Sequence, residues 1–431
     1  MSATTELVET PVHVEVPVSH RRRTVTGVVL VVTGVLCALA FGLGSKSGTA
    51  HFNVAASTDY FTISKISVPA RVLGLAIGAL IVVLGVIQLA RGFSRRAMRW
   101  VIGLTLVGVV VAFLAWASTG QGNTIDLLSL AQQTLLLAVP LILGAMAGVL
   151  GERSGVINVA IEGQMLTAAF AGSLFATIAH NDGVGILASV VAGALLGALL
   201  AWFAIRFLVN QVILGVVINL LALGMTGFLY DAIMAPDTEH YNSPPPLNAI
   251  AIPVLSKIPV VGPVLFDQNI LVYLMYAVVV VIDIWLFRTR WGLRTRAVGE
   301  HPLAADTVGI KVRRVRYRNV ILGGCVAGLG GAFFTVGQDL QFTKNITSGK
   351  GFIALAAVIF GRWSPRGAVG AALLFGFSDA LATVLSFIGT PVNIPSSFLA
   401  MLPYLATIFA VAGLVGRVRA PAADGEPYTG R

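Results

Sequence analysis

Apolar residues run almost without interruption through twelve stretches of the chain: 24–43, 70–90, 99–118, 127–149, 158–179, 184–208, 212–233, 269–288, 319–338, 351–362, 366–387 and 397–416. A helix needs about 20 mostly apolar residues to cross a hydrocarbon core about 30 Å thick, so these stretches predict membrane helices. Two depart from the pattern. The run at 351–362 is short, and 158–179 carries Glu162 near its start, so both read as broken or re-entrant. The expected fold is an all-α polytopic membrane protein with about twelve transmembrane helices, in a range of ten to twelve.

Composition strengthens this reading. Of 431 residues 56% are hydrophobic and 11% charged, against about 25% charged in a soluble domain. The net charge of +10 would suggest nucleic acid in a soluble protein; its distribution points instead to membrane orientation, and no nucleic-acid partner is expected. With the N-terminal residues placed inside and the spans alternating, 23 Lys and Arg fall on the inner side and six on the outer. This asymmetry places both termini in the cytoplasm. The organisation expected is a disordered cytoplasmic tail at 1–23, an N-terminal transmembrane extension at 24–126, a core at 127–416 with a long inner loop at 289–318, and a cytoplasmic tail at 417–431. Residues 234–268, with the proline-stiffened SPPPLNAI, form an outer loop with room for a partner.

Chemistry is sparse. Cys37 and Cys325 are the only cysteines and both sit in apolar runs, so neither a disulfide framework nor a Cys/His metal site is expected. GLGSKSGT at 42–49 misses the phosphate-binding loop pattern, because Ser45 stands between Gly44 and Lys46. No HExxH or GxSxG occurs, and NIT at Asn345 is a glycosylation signal by letter only. The chain carries no visible machinery for hydrolysing ATP, and no cofactor or metal bound by it is expected.

The costly feature is GERSGVINVAIEGQ, residues 151–164, set between two apolar runs. A charge at a helix centre costs about 2.5–3.5 kcal/mol on insertion scales and usually faces a cavity or a partner. Non-helical backbone at that depth is tolerated only under cover of protein or water. Gly151, Gly155 and Gly163 supply flexible points. Asn158, Glu162 and Gln164 are therefore expected at a helix start or half-helix beside a substrate path. The structural alternative makes Glu152 and Arg153 a headgroup-level turn, which is favoured for those two, and Glu162 a tie between helices. Gln132, Gln133 and Asn219 are further path candidates, although amides also join membrane helices at about 0.6 kcal/mol each. Asp379 is the deepest aspartate. Asp283 lies about one turn from Arg288, so a local ion pair is expected there. Gly324 and Gly328 form a GxxxG, read as close helix packing. SGVINVAIEG and GKGFIALAAVIFG share glycine framing five spans apart, which would make them opposite in orientation, as in an inverted repeat.

The inner loop contains HPLAADTVG, residues 301–309. Pro302 suits a first helical position, Ala304 and Ala305 favour helix, and Gly309 can end it in the left-handed conformation. Seven residues give roughly 10 Å of helix, a two-turn knob presenting Leu303 and Val308 with Ile310 beyond. Such a knob could transmit force from a soluble partner. The alternative is a surface helix that holds the loop's basic residues at anionic headgroups.

AVGEHPLAADTVGIKV resembles the cytoplasmic coupling loop of ABC-importer permeases, in the form GExPxAAxxxGI. GERSGVINVAIEGQMLTAAFAG, NQVILGVVINLLALG and GFIALAAVIFGRWSPRGAVGAALLFGFSDAL resemble motifs of the nucleoside/simple-sugar branch of those permeases, related to the ribose and branched-chain amino acid transporters. The four lie in the expected order between about 127 and 416. The resemblance implies a bacterial cytoplasmic-membrane permease subunit that forms a path for nucleosides and is not itself an enzyme. It also implies a coupling surface of Glu300, Pro302, Leu303, Ala304, Ala305, Asp306, Gly309 and Ile310. The implied partners are cytosolic ATPase subunits carrying ATP–Mg, a second permease that is identical or homologous, an extracellular substrate-binding lipoprotein, and membrane lipid. A simple-sugar permease is one alternative. A proton-coupled secondary transporter using Glu162 and Asp379 as relays is another. Gln211 departs from the glutamate many relatives carry after the equivalent of Asn210, and residues 1–98 lie outside the resemblance.

Overall fold

The computed structural model describes residues 20–45, 48–53, 66–119, 124–389, 395–399, 401–402, 404 and 419–430. It is helical apart from short strand fragments. Among the described residues, nine helices are long and apolar enough to cross a membrane. The first part of the expected N-terminal tail, and nearly all of the run at 397–416, lie outside the described residues.

Of the three expected runs not among the nine, two lie within the described residues. The run at 158–179 becomes a 19-residue helix, Ile161–Ala179, whose first turn carries Glu162 and Gln164 and lowers its hydropathy. The run at 351–362 becomes Lys350–Phe360, 11 residues, about 16 Å at 1.5 Å per residue and half the thickness of a bilayer core.

The chain divides into two compact units. The first contains α1 (His20–Cys37, continuing as a π-helical turn to Leu43), α2 (Ala70–Ala90) and α3 (Arg95–Ser118). The α1 and α2 backbones approach closely along glycines: a Cβ at Gly34 would lie 2.7 Å from the Val82 nitrogen, and one at Gly78 2.7 Å from the Ala38 Cβ. Arg23 donates to the carbonyl oxygens of Gln88 (3.2 Å) and Leu89 (2.7 Å), a cation at the C-terminal end of α2. Thr49–Asn53 and Ile66–Pro69 form a short antiparallel ladder, Ala50 opposite Val68, that hydropathy did not foreshadow.

The second unit holds α4 (Leu127–Glu152), α5 (Ile161–Ala179), α6 (Asp182–Ala201), α7 (Gln211–Leu229), α8 (Ile270–Arg288), α9 (Arg290–Glu300), α10 (Pro302–Thr307), α11 (Val312–Ala332), α12 (Lys350–Phe360) and α13 (Pro365–Ile388). Helix α4 is the most enclosed span. The closest packing is between α6 and α11. There a Cβ on Gly193, Gly324 or Gly328 would collide with the facing backbone, so the GxxxG seats one backbone on the other. Ser189 and Thr335 donate to the carbonyls of Ala168 (2.8 Å) and Ala169 (3.0 Å), tying α6 and the end of α11 to α5.

One expected ion pair is replaced. Asp283 accepts from Arg366 at 2.8 Å, not from Arg288. Positions five apart on a helix point about 140° apart, so only i,i+3 and i,i+4 neighbours share a face. Arg366, in the first turn of α13, reaches the aspartate from another helix.

Candidate functional site at a broken helix pair

The site begins where α4 stops. After Glu152 the backbone turns through 153–160 before α5 resumes at Ile161. Gly155 sits at φ 84°, where a side chain would be strained. A Cβ there would also lie 2.8 Å from Arg316 Nη2 and 2.9 Å from the Ala423 carbonyl. The turn is anchored by side-chain hydrogen bonds: Glu152 is buried and accepts from the Trp363 indole, and Arg153 donates to the carbonyls of Trp363 (2.7 Å) and Arg362 (3.3 Å).

Breaking a helix within a membrane protein frees backbone groups that must find partners. Amides supply them. Gln211 Oε1 accepts from the Ile157 N–H (2.7 Å), Asn219 Nδ2 donates to the Val159 carbonyl (2.9 Å), and Asn219 Oδ1 accepts from the Gly163 N–H (2.8 Å). Asn158 and Gln164 bond to each other at 3.1 and 3.4 Å and are fully enclosed. Gln211, the departure from the family pattern, keeps a carbonyl acceptor where a glutamate would place a carboxylate.

Glu162 joins the two short elements. It is 7% exposed, and its carboxylate accepts from the Thr347 hydroxyl (2.5 Å), the Gly349 N–H (2.8 Å) and the Gly351 N–H (2.6 Å). Those groups form the N-terminal end of α12, whose cap, Gly349, is left-handed at φ 83°. Glu162 also stands in the first turn of α5. The carboxylate thus caps the N-terminus of α12 from a position in the first turn of α5, where that helix's partial positive charge also favours a negative group. A Cβ on Gly351 would lie 2.5 Å from the Glu162 Cα, so this contact demands glycine. Lys350 pairs with Asp379 at 2.7 Å, fastening the same helix end to α13.

Beside the junction lies a cavity of about 270 Å³, whose lining includes Glu162, Leu166, Asn219, Asn345 and Phe352. The expected path residues therefore separate. Glu162 and Asn219 reach the cavity, and Asn158 and Gln164 sit behind them. Gln132 donates to the Pro263 carbonyl in the long loop (3.2 Å). Asp379 is held by Lys350, and Gln133 does not line the cavity. Gln211, Thr347, Gly349 and Gly351 were not among the expected path residues; Gln211 stood out only as a departure from the resemblance, and Gly351 only through the glycine framing of GKGFIALAAVIFG. Among the described residues no three His, Cys, Asp or Glu are placed to hold a metal ion.

On the opposite side of the turn, α9 leads into α10, with Pro302 at its first position. Gly309 is at φ 80° with open space around it, so backbone conformation alone calls for glycine. Leu303 (61%) and Val308 (74%) are exposed, as are Glu300 and Ala304; Pro302, Asp306 and Ile310 are partly covered. Ala305 turns inward, 4% exposed, against Val298, Val312 and Tyr428.

Residues 130–415, spanning the break, the cavity and α10, match the model of a family described as the branched-chain amino acid transport system permease component. The chain belongs to this permease family. It is 43% identical over 303 residues to the guanosine ABC transporter permease NupQ of Bacillus subtilis (strain 168), covering 68% of this chain and 94% of that one. It is 39% identical over 302 residues to the nucleoside ABC transporter permease NupC of Lactococcus lactis subsp. cremoris (strain MG1363), with the same coverage. To a putative glucose ABC transporter permease, TsgC13 of Haloferax volcanii, it is 34% identical over 58% of this chain and 75% of the other. No solved structure matches. The protein is a multi-pass membrane permease, the non-catalytic component of an ABC transporter, a class that works with ATPase and binding-protein partners.

The permease has one further ordered element, within the stretch expected as a C-terminal cytoplasmic tail. Residues 419–430 lie against the end of α9 and the inner face of α10. The Ala423 N–H donates to the Gly299 carbonyl (2.9 Å), the Ala422 N–H to Glu300 (3.3 Å), and Arg316 to the Glu426 carbonyl (2.9 Å). Tyr428 is buried against Ala305. Gly299 in turn presses on the Arg153 carbonyl, where a Cβ would have no room. A contiguous contact path therefore runs from α10 through Gly299 to the broken turn and on to Glu162.

Burial pushes the Asp424 carboxyl from 3.8 up to about 7, opposed by the nearby Arg316 and by the Gly425 N–H. A released tail would ionise near the ordinary value while the docked tail keeps its proton. Docking is therefore strongest at acid pH, weakens as pH rises between 3.8 and about 7, and is level above that. Amide exchange across 419–430, corrected for its intrinsic pH dependence, should show this trend, and Asp424→Asn should flatten it.

Proposed function

We propose that the chain is the nucleoside-translocating permease subunit of an ATP-driven ABC importer. The observation that carries this is its identity with two permeases named for guanosine and nucleoside transport, extending over 94% of each. In this reading the cavity beside Glu162 and Asn219 belongs to the substrate path. Carboxylate, amides and the Phe352 ring would offer a nucleoside acceptors, donors and an aromatic face.

Two crossings beyond the nine spanning helices are supported by how the two interrupted elements meet. Helix α4 ends beside Trp363, non-helical 153–160 leads from there to Glu162, and α5 starts at that depth. Residues 339–349 come from the end of α11 to the same carboxylate, and α12 runs back to Trp363. Two irregular segments, one entering from each side, thus present helix N-termini to a common point, the arrangement of inverted-repeat transporters. Each pair of segments completes one crossing, eleven with the nine spanning helices; with the expected run at 397–416, which lies mostly outside the described residues, as the twelfth, both termini and α10 fall on the cytoplasmic side. Exposed Leu303 and Val308 then form the ATPase contact, a second permease completes the path, and a substrate-binding lipoprotein delivers nucleoside from outside.

A proton relay fits less well. Glu162 is occupied by three donors and Asp379 by Lys350. The sugar alternative draws on the glucose-named relative, which matches a smaller share of the chain. Proteoliposomes holding the assembled transporter should take up radiolabelled guanosine with ATP on the ATPase side and no proton gradient, and excess glucose should not compete. Uphill uptake by this chain alone, driven by a proton gradient, would overturn the reading.

A further inference from the structure

Next to α10, on the side away from the docked tail, is a cavity of about 540 Å³ whose lining includes Arg294, Lys311, Arg314 and Arg318. Among the described residues no Asp or Glu lines it. Among the described residues none of the four cations has an ion-pair partner. Four like charges gathered around one hollow repel each other, so the arrangement is stabilised by an anion placed among them.

The cup continues into a second, apolar groove of about 420 Å³. The two share Trp291 and Arg318, and the groove is completed by Trp285, Thr289 and Leu322. Trp285, on spanning helix α8, is 47% exposed and meets Trp291 edge to face at 5.8 Å. Leu322 belongs to spanning helix α11. Charge therefore sits at the helix ends and the apolar floor follows the spans, with tryptophans between, where amphipathic rings prefer the membrane interface.

We propose that this combined site binds an anionic phospholipid, its phosphate among Arg294, Lys311, Arg314 and Arg318 and an acyl chain along Trp285 and Leu322. A basic pocket between spans at the cytoplasmic face suits such a headgroup, and arginine forks match phosphate oxygens in pairs. An acidic surface on a soluble partner would match the cup but leave the tryptophan-floored groove unfilled. Because Val308, Gly309 and Ile310 also line the cup, the bound lipid would hold the C-terminal side of the coupling helix. Assignment to the cytoplasmic leaflet rests on the permease orientation proposed above; binding itself does not.

The test uses purified full-length permease in neutral detergent, with phosphatidylglycerol and phosphatidylcholine of identical chains, read by native mass spectrometry. Phosphatidylglycerol should be retained at least tenfold more than phosphatidylcholine, and Arg314→Gln with Arg318→Gln should remove that preference. Trp285→Ala should weaken phosphatidylglycerol retention severalfold. Inorganic phosphate at millimolar concentration should displace little of it; full displacement would make this a free-anion site and overturn the proposal. Equal retention of the two lipids by the unmodified protein would also overturn it, whether or not the variants fold. So would unchanged lipid retention in the double-glutamine variant alongside lost ATPase co-purification, which would assign the cup to the ATPase. None of these readouts involves transport, so their failure leaves the nucleoside reading intact, and failed uptake would leave this one intact.

Discussion

Glu162→Ala should lower nucleoside uptake by more than a hundredfold in reconstituted transporter while the chain still inserts in the membrane. The alanine removes an acceptor from the Thr347 hydroxyl and from two backbone N–H groups at the start of α12. Hydrogen bonds to a charged group contribute about 1.5–3 kcal/mol each, and stranded buried donors carry their full desolvation penalty. Loss of even two would exceed about 3 kcal/mol, more than a hundredfold in the equilibrium that keeps the two helix ends together. Glu162→Gln keeps one carbonyl oxygen but aims an NH₂ group at a donor, so an intermediate loss of about tenfold is expected. Gly351→Ala should resemble the alanine variant by another route, since its Cβ would lie 2.5 Å from the Glu162 Cα. The measurement is initial uptake rate per folded protein, with size-exclusion profiles controlling for folding. Full activity in Glu162→Ala would remove the junction from the mechanism.

The second large effect separates two faces of α10. Leu303→Glu combined with Val308→Glu changes residues that are 61% and 74% exposed, so the permease should fold normally. Two carboxylates set into an apolar contact should reduce ATPase co-purification by at least thirtyfold, about 2 kcal/mol. Ala305→Glu tests something else. At 4% exposure and packed on Val298, Val312 and Tyr428, a carboxylate there is buried without a partner and should expel residues 419–430. Faster amide exchange across that segment would report the expulsion. Tyr428→Ala should release the tail as well, without adding charge to α10. If the exposed double variant kept its ATPase, the docking face would lie elsewhere.

Much of this protein was legible from hydropathy. Nine of the twelve apolar runs are spanning-length helices among the described residues. Pro302 and Gly309 bracket the short helix as their backbone preferences require. The irregularity at 151–164 was visible because charge in an apolar run is conspicuous. The partners were not. Thr347 lies 185 residues from Glu162, and no local pattern specifies a bond over that separation. Asp283 shows the same limit: proximity in sequence favoured Arg288, while helix geometry and packing delivered Arg366. Residues 419–430 carried no periodic signal and docked through backbone groups and a single tyrosine.

By itself, then, the order of residues determined that the chain lives in a membrane, roughly where it crosses, where its helices are interrupted and which short helix projects from them. These are local consequences of transfer free energy and backbone preference, and each is written in consecutive residues. Tertiary structure alone decided that Glu162 bridges two helix ends, that Ala305 faces inward, and that four cations without an ion-pair partner among the described residues enclose one hollow. Those outcomes depend on how closely distant helices approach, through contacts such as Gly193 on Gly324 and Gly351 on Glu162. A buried polar group bonds to whatever the packing brings within about 3 Å of it.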